Sequence, residues 1–233
     1  MAPLAVVTGG TKGIGRAIIE RFARAGFAVA TCARKTADLE ALKADVAATY
    51  GVPTHVFVAD MSDMAQVKRF TDFVNAIGST AVLVNNAGYF VPGAVTEEPE
   101  GSLESMIQSN VYSAYYTTRG LVGSMKAHRQ GHIFNMCSIA SIKAYPNGGS
   151  YAISKFALLG FSKVLREELK ESGIRVTAVL PGATRTASWA GVDLPDDRFM
   201  KTEDVAETIY SAYALSKNTV VEEILLRPQL GDL

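Results

Sequence analysis

Short apolar runs alternate with longer amphipathic stretches from end to end of this chain, and no other feature limits its fold so strongly. The runs are Leu4 to Thr8, Ala28 to Cys32, Thr54 to Val58, Ala81 to Asn85, Gly131 to Cys137, Arg175 to Leu180 and Val220 to Leu226. Most are rich in Val, Ile and Ala with little polar alternation, as expected of strands covered on both faces. Between them the spacing predicts helices over roughly 13–26, 36–49, 62–77, 100–128, 149–171 and 202–216. Ser62 and Thr202 stand where N-caps belong, each followed by acidic residues. Gly26, Gly51, Gly78 and Gly173 stand near helix ends, where a left-handed C-cap is useful. Repeated strand–helix–strand units specify an α/β fold, here a doubly wound, seven-stranded parallel sheet with helices on both faces. No linker, low-complexity tract or repeat interrupts the chain, so one domain is expected over 1–233. The long irregular stretch at about 182–199 is of a kind that is usually functional or disordered, and it is read as a substrate lid.

Composition narrows the function. Lys plus Arg and Asp plus Glu are both 23, a formal net charge of zero. That balance offers no electrostatic footprint for nucleic acid or an anionic membrane, although a local basic patch stays open. No run of about 18 apolar residues suggests a transmembrane helix. The N-terminal MAPLAVVTGG lacks the pattern of a secretory signal, so the expected location is the cytoplasm. Cys32 and Cys137 lie in separate apolar runs and read as buried reduced thiols. His55, His128 and His132 have no companion ligands at metal-binding spacing, and no metal is expected.

The first strand runs directly into Thr8-Gly9-Gly10-Thr11-Lys12-Gly13-Ile14-Gly15, and a helix follows. Glycines at 9, 13 and 15 let the backbone turn tightly and approach a pyrophosphate, while the helix N-terminus points N–H groups at the anion. The spacing is neither G-x-G-x-x-G nor a P-loop, and its placement between first strand and first helix is what makes it a nucleotide-binding candidate. At the end of the second strand, Arg34 stands where NAD sites usually carry a carboxylate, and no acidic residue does. An Arg there suits a 2′-phosphate, with Lys12 as a second cation, so NADP(H) is the expected cofactor.

Further along, Ser138 leaves the C-terminal end of the fifth strand, where ligands sit in open α/β sheets. Tyr151 and Lys155 are four apart and share a helix face. A reductase needs an acid to protonate the alkoxide as hydride arrives, and an unperturbed tyrosine titrates too high for good acid–base work near neutrality. A neighbouring ammonium lowers that value, which Lys155 can do, and Ser138 can hold the carbonyl oxygen. A lone Tyr-x-x-x-Lys is more often an exposed helix pair; here it follows a glycine turn and sits at the right end of the right strand.

Taken together these residues resemble the short-chain dehydrogenases and reductases. Thr-Gly-x-x-x-Gly-x-Gly matches 8–15, Asn-Asn-Ala-Gly matches Asn85-Asn86-Ala87-Gly88, Ser and Tyr-x-x-x-Lys match Ser138, Tyr151 and Lys155, and Pro-Gly matches Pro181-Gly182. The resemblance implies a single-domain Rossmann fold. It implies a catalytic set of Asn110, Ser138, Tyr151 and Lys155, with Asn110 positioning a water in a proton relay towards Lys155. It also implies a cofactor site built from Gly9, Thr11, Lys12, Gly13, Ile14, Gly15, Arg34, Asp60, Asn86, Ala87, Gly88, Tyr151, Lys155, Pro181, Gly182, Thr184 and Thr186. Asp60 would contact the adenine, and Thr184 and Thr186 would face the nicotinamide and phosphates, although the family's usual residue at 184 is aliphatic. Trp189, in the irregular segment, is read as lining or covering the substrate pocket, and Tyr145 as pocket wall or simple packing.

The expected activity is NADPH-dependent reduction of a free ketone or 3-oxo acid to a secondary alcohol. Reduction of 3-oxoacyl thioesters on acyl carrier protein is the alternative, and a non-catalytic NADP(H) sensor is a more distant one. The chain ends Val220-Val221-Glu222-Glu223-Ile224-Leu225-Leu226-Arg227-Pro228 where thioester reductases usually carry a Gly-Gly turn. Relatives associate through the helices corresponding to 100–128 and 149–171, so a homodimer or homotetramer is expected.

Overall fold

The apolar runs become β1 (Leu4–Thr8), β2 (Ala28–Ala33), β3 (Thr54–Val58), β4 (Thr80–Asn85), β5 (Gly131–Met136), β6 (Ile174–Pro181) and β7 (Glu223–Leu226). They form one seven-stranded sheet in the order β3-β2-β1-β4-β5-β6-β7, and each recorded pairing is parallel. The structure is a computed structural model that describes residues 2–189, 191 and 193–233. Strand order reverses between β1 and β4, the switch point at which such sheets open a crevice beyond their C-terminal ends.

Alternation along β1 divides the core in two. Ala5 and Val7 join Phe22, Leu42, Val46, Val205 and Ile209 on one face, while Leu4 and Val6 join Phe70, Val74, Leu121, Met125 and Leu165 on the other. A strand buried on both sides needs apolar residues at every position, which is why the run LAVVT shows no polar alternation. Phe22 is fully buried and meets Phe27 and Tyr210 edge to face, at 5.1 and 5.5 Å between ring centroids. Full burial of such a side chain stabilises the fold by roughly 1.5–3 kcal/mol.

The helices are α1 (Gly13–Arg24), α2 (Thr36–Tyr50), α3 (Met64–Ile77), α4 (Ser102–Ile107), α5 (Ser113–His128), α6 (Gly149–Leu169) and α7 (Thr202–Ala214). Most boundaries shift by a residue or two from the sequence expectation, and four differences have a visible cause. Asp63, not Ser62, caps α3, accepting from the Ala65 and Gln66 N–H groups; the Ser62 hydroxyl is donated to Asp60 Oδ1 at 2.7 Å instead. Thr202 is already helical and Lys201 holds the cap position, because the bridge of Thr184 to Met200 brings the chain in extended up to that point. The helix expected over 100–128 starts only after Gly101, in the left-handed region at φ 83°, and is split by a π-helical turn, Gln108–Tyr112. The last strand begins at Glu223; just before it, the Val221 carbonyl accepts from the Thr177 hydroxyl rather than from a ladder N–H. Gly26, Gly51 and Gly173 do take the left-handed conformation, whereas Gly78 at φ 158° is extended. Both cysteines are free and buried, and no helix among the described residues is long and apolar enough to cross a membrane.

Candidate active site

At the end of β1 the glycine turn is held from both sides. Asn86 reaches across from the end of β4 and donates its amide to the Thr8 and Gly9 carbonyls at 2.9 and 3.1 Å. The Thr8 hydroxyl accepts from the Asn86 and Ala87 N–H groups at 3.0 and 2.9 Å. Thr31 on β2 accepts from Gly10 N at 3.0 Å and donates to the Val7 carbonyl at 2.6 Å. A Cβ on Gly15 would lie 2.5 Å from both Asn86 Nδ2 and the Gly9 carbonyl oxygen, so this glycine is required by the packing of helix on strand. Gly13 lies in the left-handed region at φ 54° and a Cβ there would meet Thr186 Cγ2 at 3.2 Å, which places Thr186 over the turn. Ile14 packs into the core beneath, and Thr11 is half-buried. Lys12, the N-cap of α1, makes no side-chain capping bond.

Where β2 ends, Arg34 is exposed and forms no salt bridge among the described residues. Its nearness helps hold the Asp60 carboxyl below the usual range, though the larger causes are hydrogen bonds from the Ser62 N–H and hydroxyl. Lys12 is committed to Asp38 in the first turn of α2, at 3.0 Å. At the end of β2 itself no carboxylate stands; Asp38, four residues past Arg34 in α2, takes up the cation of Lys12, which the sequence suggests as a second partner for the 2′-phosphate. Beyond Pro181 and Gly182, Thr184 is buried and donates its hydroxyl to the Gly182 carbonyl at 3.0 Å. In the lid, Trp189 packs edge to face on Phe199 at 5.2 Å, and Arg185 pairs with Asp196 at 2.9 Å.

Ser138, Tyr151, Lys155 and Asn110 come together at the C-terminal ends of β4 and β5. Ser138 follows β5 and accepts from Ala140 N at 3.1 Å, the cap of a short 3₁₀ turn. Its hydroxyl lies near enough to the Tyr151 phenol to draw that group's pKa down, against the larger effect of burial. Lys155 lies one turn further along α6, its Nζ 5.6 Å from the Tyr151 ring centroid and donating to the Met136 carbonyl at 2.7 Å. Asn110 sits in the π turn, where the widened backbone directs it inward. It accepts from Tyr89 N at 2.9 Å and donates to Ser154 Oγ at 2.9 Å and the Tyr89 carbonyl at 3.2 Å. A Cβ on Gly88 would come within 2.6 Å of Asn110 Oδ1 and 3.9 Å of Lys155 Nζ, so Gly88 is the gap through which these two side chains approach.

Electrostatics here run against one expectation. Burial pushes the Tyr151 phenol up, with the Ser138 hydrogen bond pulling the other way, and Lys155 is not among the causes. Burial also brings the Lys155 ammonium down to about 8. The site thus starts with a tyrosine that keeps its proton and a lysine whose charge is weakly held. Tyr145 is raised by burial and by Tyr151, which puts it beside the catalytic candidates.

Two contributors escaped the sequence reading. Phe90 packs on Tyr151 edge to face at 4.8 Å, and Glu98 accepts from Ser150 N at 3.0 Å. Both belong to the loop after β4, whose composition carries no periodic signal; only proximity to Asn-Asn-Ala-Gly could have drawn attention to them.

A family model described as short chain dehydrogenase matches residues 3–195. The chain is 36% identical, over 244 aligned positions covering 100% of it and 99% of the other, to the sepiapterin reductase of Chlorobaculum tepidum. Its structure matches an alcohol dehydrogenase from Thermococcus sibiricus complexed with 5-hydroxy-NADP, with a TM-score of 0.92, 28% identity and 98% and 97% of the two chains covered. It also matches L-sorbose reductase from Gluconobacter frateurii complexed with NADPH and L-sorbose, with a TM-score of 0.91, 26% identity and 97% and 95% covered. A glycine turn locked by Asn86, a serine, tyrosine and lysine gathered beyond β5 and these likenesses along nearly the whole chain agree: the protein belongs to the short chain dehydrogenase family of oxidoreductases.

Proposed function

We propose that the protein is an NADP(H)-dependent carbonyl reductase that converts a ketone or 3-oxo acid to a secondary alcohol. The observation that carries this reading is the cluster itself: Ser138 beside the Tyr151 phenol, with Lys155 one turn along the same helix. The nucleotide site fits the cofactor. Gly9 and Gly13 bring half-buried backbone without a Cβ to the turn, the N-terminal N–H groups of α1 carry no bond from the Lys12 side chain, and exposed Arg34 suits a 2′-phosphate. The relatives solved with NADP or NADPH support the same choice.

When bound, the nicotinamide supplies the hydride. Ser138 holds the substrate oxygen by a hydrogen bond, and Tyr151 donates the proton that neutralises the developing alkoxide. Burial raises the phenol, so the proton is in place at neutral pH and is released only as negative charge grows on the substrate oxygen. Lys155, brought down to about 8, stabilises the resulting tyrosinate and passes a proton on. Asn110 has its amide taken up by Tyr89 and Ser154; it holds the loop after β4 to α6 and positions the exit path beside Lys155. Phe90 and Tyr145 form the wall around the phenol, and Trp189 stiffens the lid through Phe199.

Purified protein is assayed for NADPH oxidation against free ketones, 3-oxo acids, pterins bearing a dicarbonyl side chain and 3-oxoacyl thioesters. Tyr151→Phe is expected to lower kcat by roughly 10²–10⁴-fold with NADPH still bound. Turnover that survives that change, or tight binding with no turnover on any substrate, refutes the reading. A homo-oligomer built on α5 and α6 belongs to the same proposal, since Tyr112, Tyr116, Ile153, Phe156 and Val164 are exposed there. Sedimentation at micromolar concentration checks it, a monomer counting against.

A further inference from the structure

We propose that Glu98 is a positioning residue for hydride transfer: its carboxylate latches the loop after β4 onto the first turn of α6 and so holds Phe90 against Tyr151. This rests on the reductase reading above.

The latch combines side-chain bonds, a tight backbone contact and a place beside the phenol. Ser150 N donates to Glu98 Oε1 at 3.0 Å and Oε2 at 3.2 Å, and the Ser150 hydroxyl donates to Oε2 as well. The first N–H groups of a helix have no internal partner and favour negative charge, and α6 receives that charge from a residue 52 positions away. Gly148, at the cap position itself, contributes no side chain to the task. Secondly, the two backbones meet tightly. Gly93 N donates to the Asn147 carbonyl at 3.0 Å, and a Cβ on Gly149 would fall 2.2 Å from Glu98 Oε1 and 2.3 Å from the Gly93 carbonyl oxygen. Only glycine fits between loop and helix.

Thirdly, the anchored residues bracket the chemistry. Ser150 is the direct neighbour of Tyr151. The loop is pinned at Tyr89 by Asn110 and at Glu98 by Ser150, and Phe90 lies between those pins with its ring 4.8 Å from that of Tyr151. An open cavity of about 460 Å³ lined by Tyr89, Gly93, Glu98 and Asn147 leaves the loop room to swing outward once the latch is cut. Cutting it frees Phe90, admits water to the phenol and loosens the α6 turn that aims Tyr151.

The test uses the full chain with NADPH and the best substrate found above. Glu98→Ala, Glu98→Gln, Glu98→Asp and Ser150→Ala are compared for kcat, KM, NADPH affinity, melting temperature and the pH dependence of kcat. Glu98→Gln keeps the shape but cannot accept both Ser150 bonds, so it carries the test if the alanine variant folds poorly. The expected result is a fall in kcat of roughly 10–100-fold for Glu98→Ala, the scale set by misplacing a reacting group. NADPH affinity should be unchanged, Glu98→Asp should recover part of the rate, and the basic limb of the profile should move to lower pH. That direction follows because water at Tyr151 removes part of the burial that holds its pKa up. A kcat and basic limb unmoved in both Glu98→Ala and Glu98→Gln overturn the latch, as does a rate loss matched by equal loss of NADPH binding and folded protein. If Tyr151→Phe stays active, latch and reductase reading fall together; if it is dead while Glu98→Ala is not, only the latch does.

Discussion

Two helices begin at the mouth of this sheet, and their N-termini are treated in opposite ways. At α1 the cap residue Lys12 sends its side chain to Asp38 and leaves the N–H groups beside the glycine turn uncapped. At α6 the same kind of N–H groups are taken by Glu98 from a distant loop. The electrostatics are identical, a partial positive charge on unpaired donors. One end is left open to an anionic ligand and, in the proposal above, the other is used internally to aim Tyr151. The turn at α1 is held by the Asn86, Thr8 and Thr31 side chains and by a glycine with no room for a Cβ, so its geometry tolerates almost no change. The end at α6 hangs on one carboxylate and gives way by degrees.

Substitutions can break or sharpen this contrast, and the largest effect is expected at Arg34. Replacing it by Asp removes a charge-assisted bond to a 2′-phosphate and adds repulsion, so preference for NADPH over NADH should fall roughly 10–100-fold. Steady-state kinetics with both cofactors decide it, and an unchanged ratio would show that the phosphate is held elsewhere. Gly15→Ala comes next. Helix propensity favours Ala by about 1 kcal/mol, but a Cβ 2.5 Å from the Gly9 carbonyl oxygen cannot be relieved by a side-chain motion. Overpacking of that kind costs about 1–3 kcal/mol, and NADPH affinity should drop about tenfold even in protein that remains folded.

His132 tests the scaffold behind both sites. It is fully buried in β5, stacked on Phe134, and its Nε2 lies 2.7 Å from Thr177 Oγ1. Thr177 donates its proton to the Val221 carbonyl, so Nε2 carries the hydrogen and Nδ1 is left without a partner. Burial first, and the charge of Arg175 second, bring its pKa from 6.5 to about 2. Below pH 6.5 the unfolded chain binds a proton that the folded one refuses, so this contribution is complete above 6.5 and is lost as pH falls. The loss is about 1.4 kcal/mol per pH unit, and denaturant melts of His132→Gln should show a flatter acid limb between pH 6.5 and 5. An acid limb as steep as in the parent assigns the loss to carboxylates instead. The smallest effect is expected at Gly123→Ala on α5, where a Cβ meets nothing within 4 Å. It should stabilise by roughly 0.5–1 kcal/mol, the reverse of Gly15, and a lower melting temperature would contradict the open space seen there.

Much of this was legible beforehand. β1 and β3 match their runs end to end, and for β1 the reason is that a strand buried on both faces leaves an uninterrupted apolar signature. Tyr151 and Lys155 share a face because a four-residue spacing within one helix admits little else. The π turn was not legible, since Gln108 to Tyr112 continue the helical pattern around them. The N-cap of α3 was misplaced by one residue because Ser62 and Asp63 are both good caps, and the choice fell to Asp60, which claims the serine.

What the sequence by itself determined is the parallel sheet, the glycine turn between β1 and α1, and the residues gathered beyond β5. Each has a local signature in the chain, namely the apolar runs, the glycine spacing and the four-residue step from Tyr151 to Lys155, to which the family resemblance adds Asn110. Tertiary structure alone decided that Glu98 caps α6, that Phe90 walls Tyr151, that Asp38 takes Lys12 and that Trp189 rests on Phe199. Such pairs join an irregular loop or a charged surface residue to a partner elsewhere, and no spacing rule encodes where a loop's side chains land. Only the packed sheet, by fixing where each loop leaves and returns, brings them within reach.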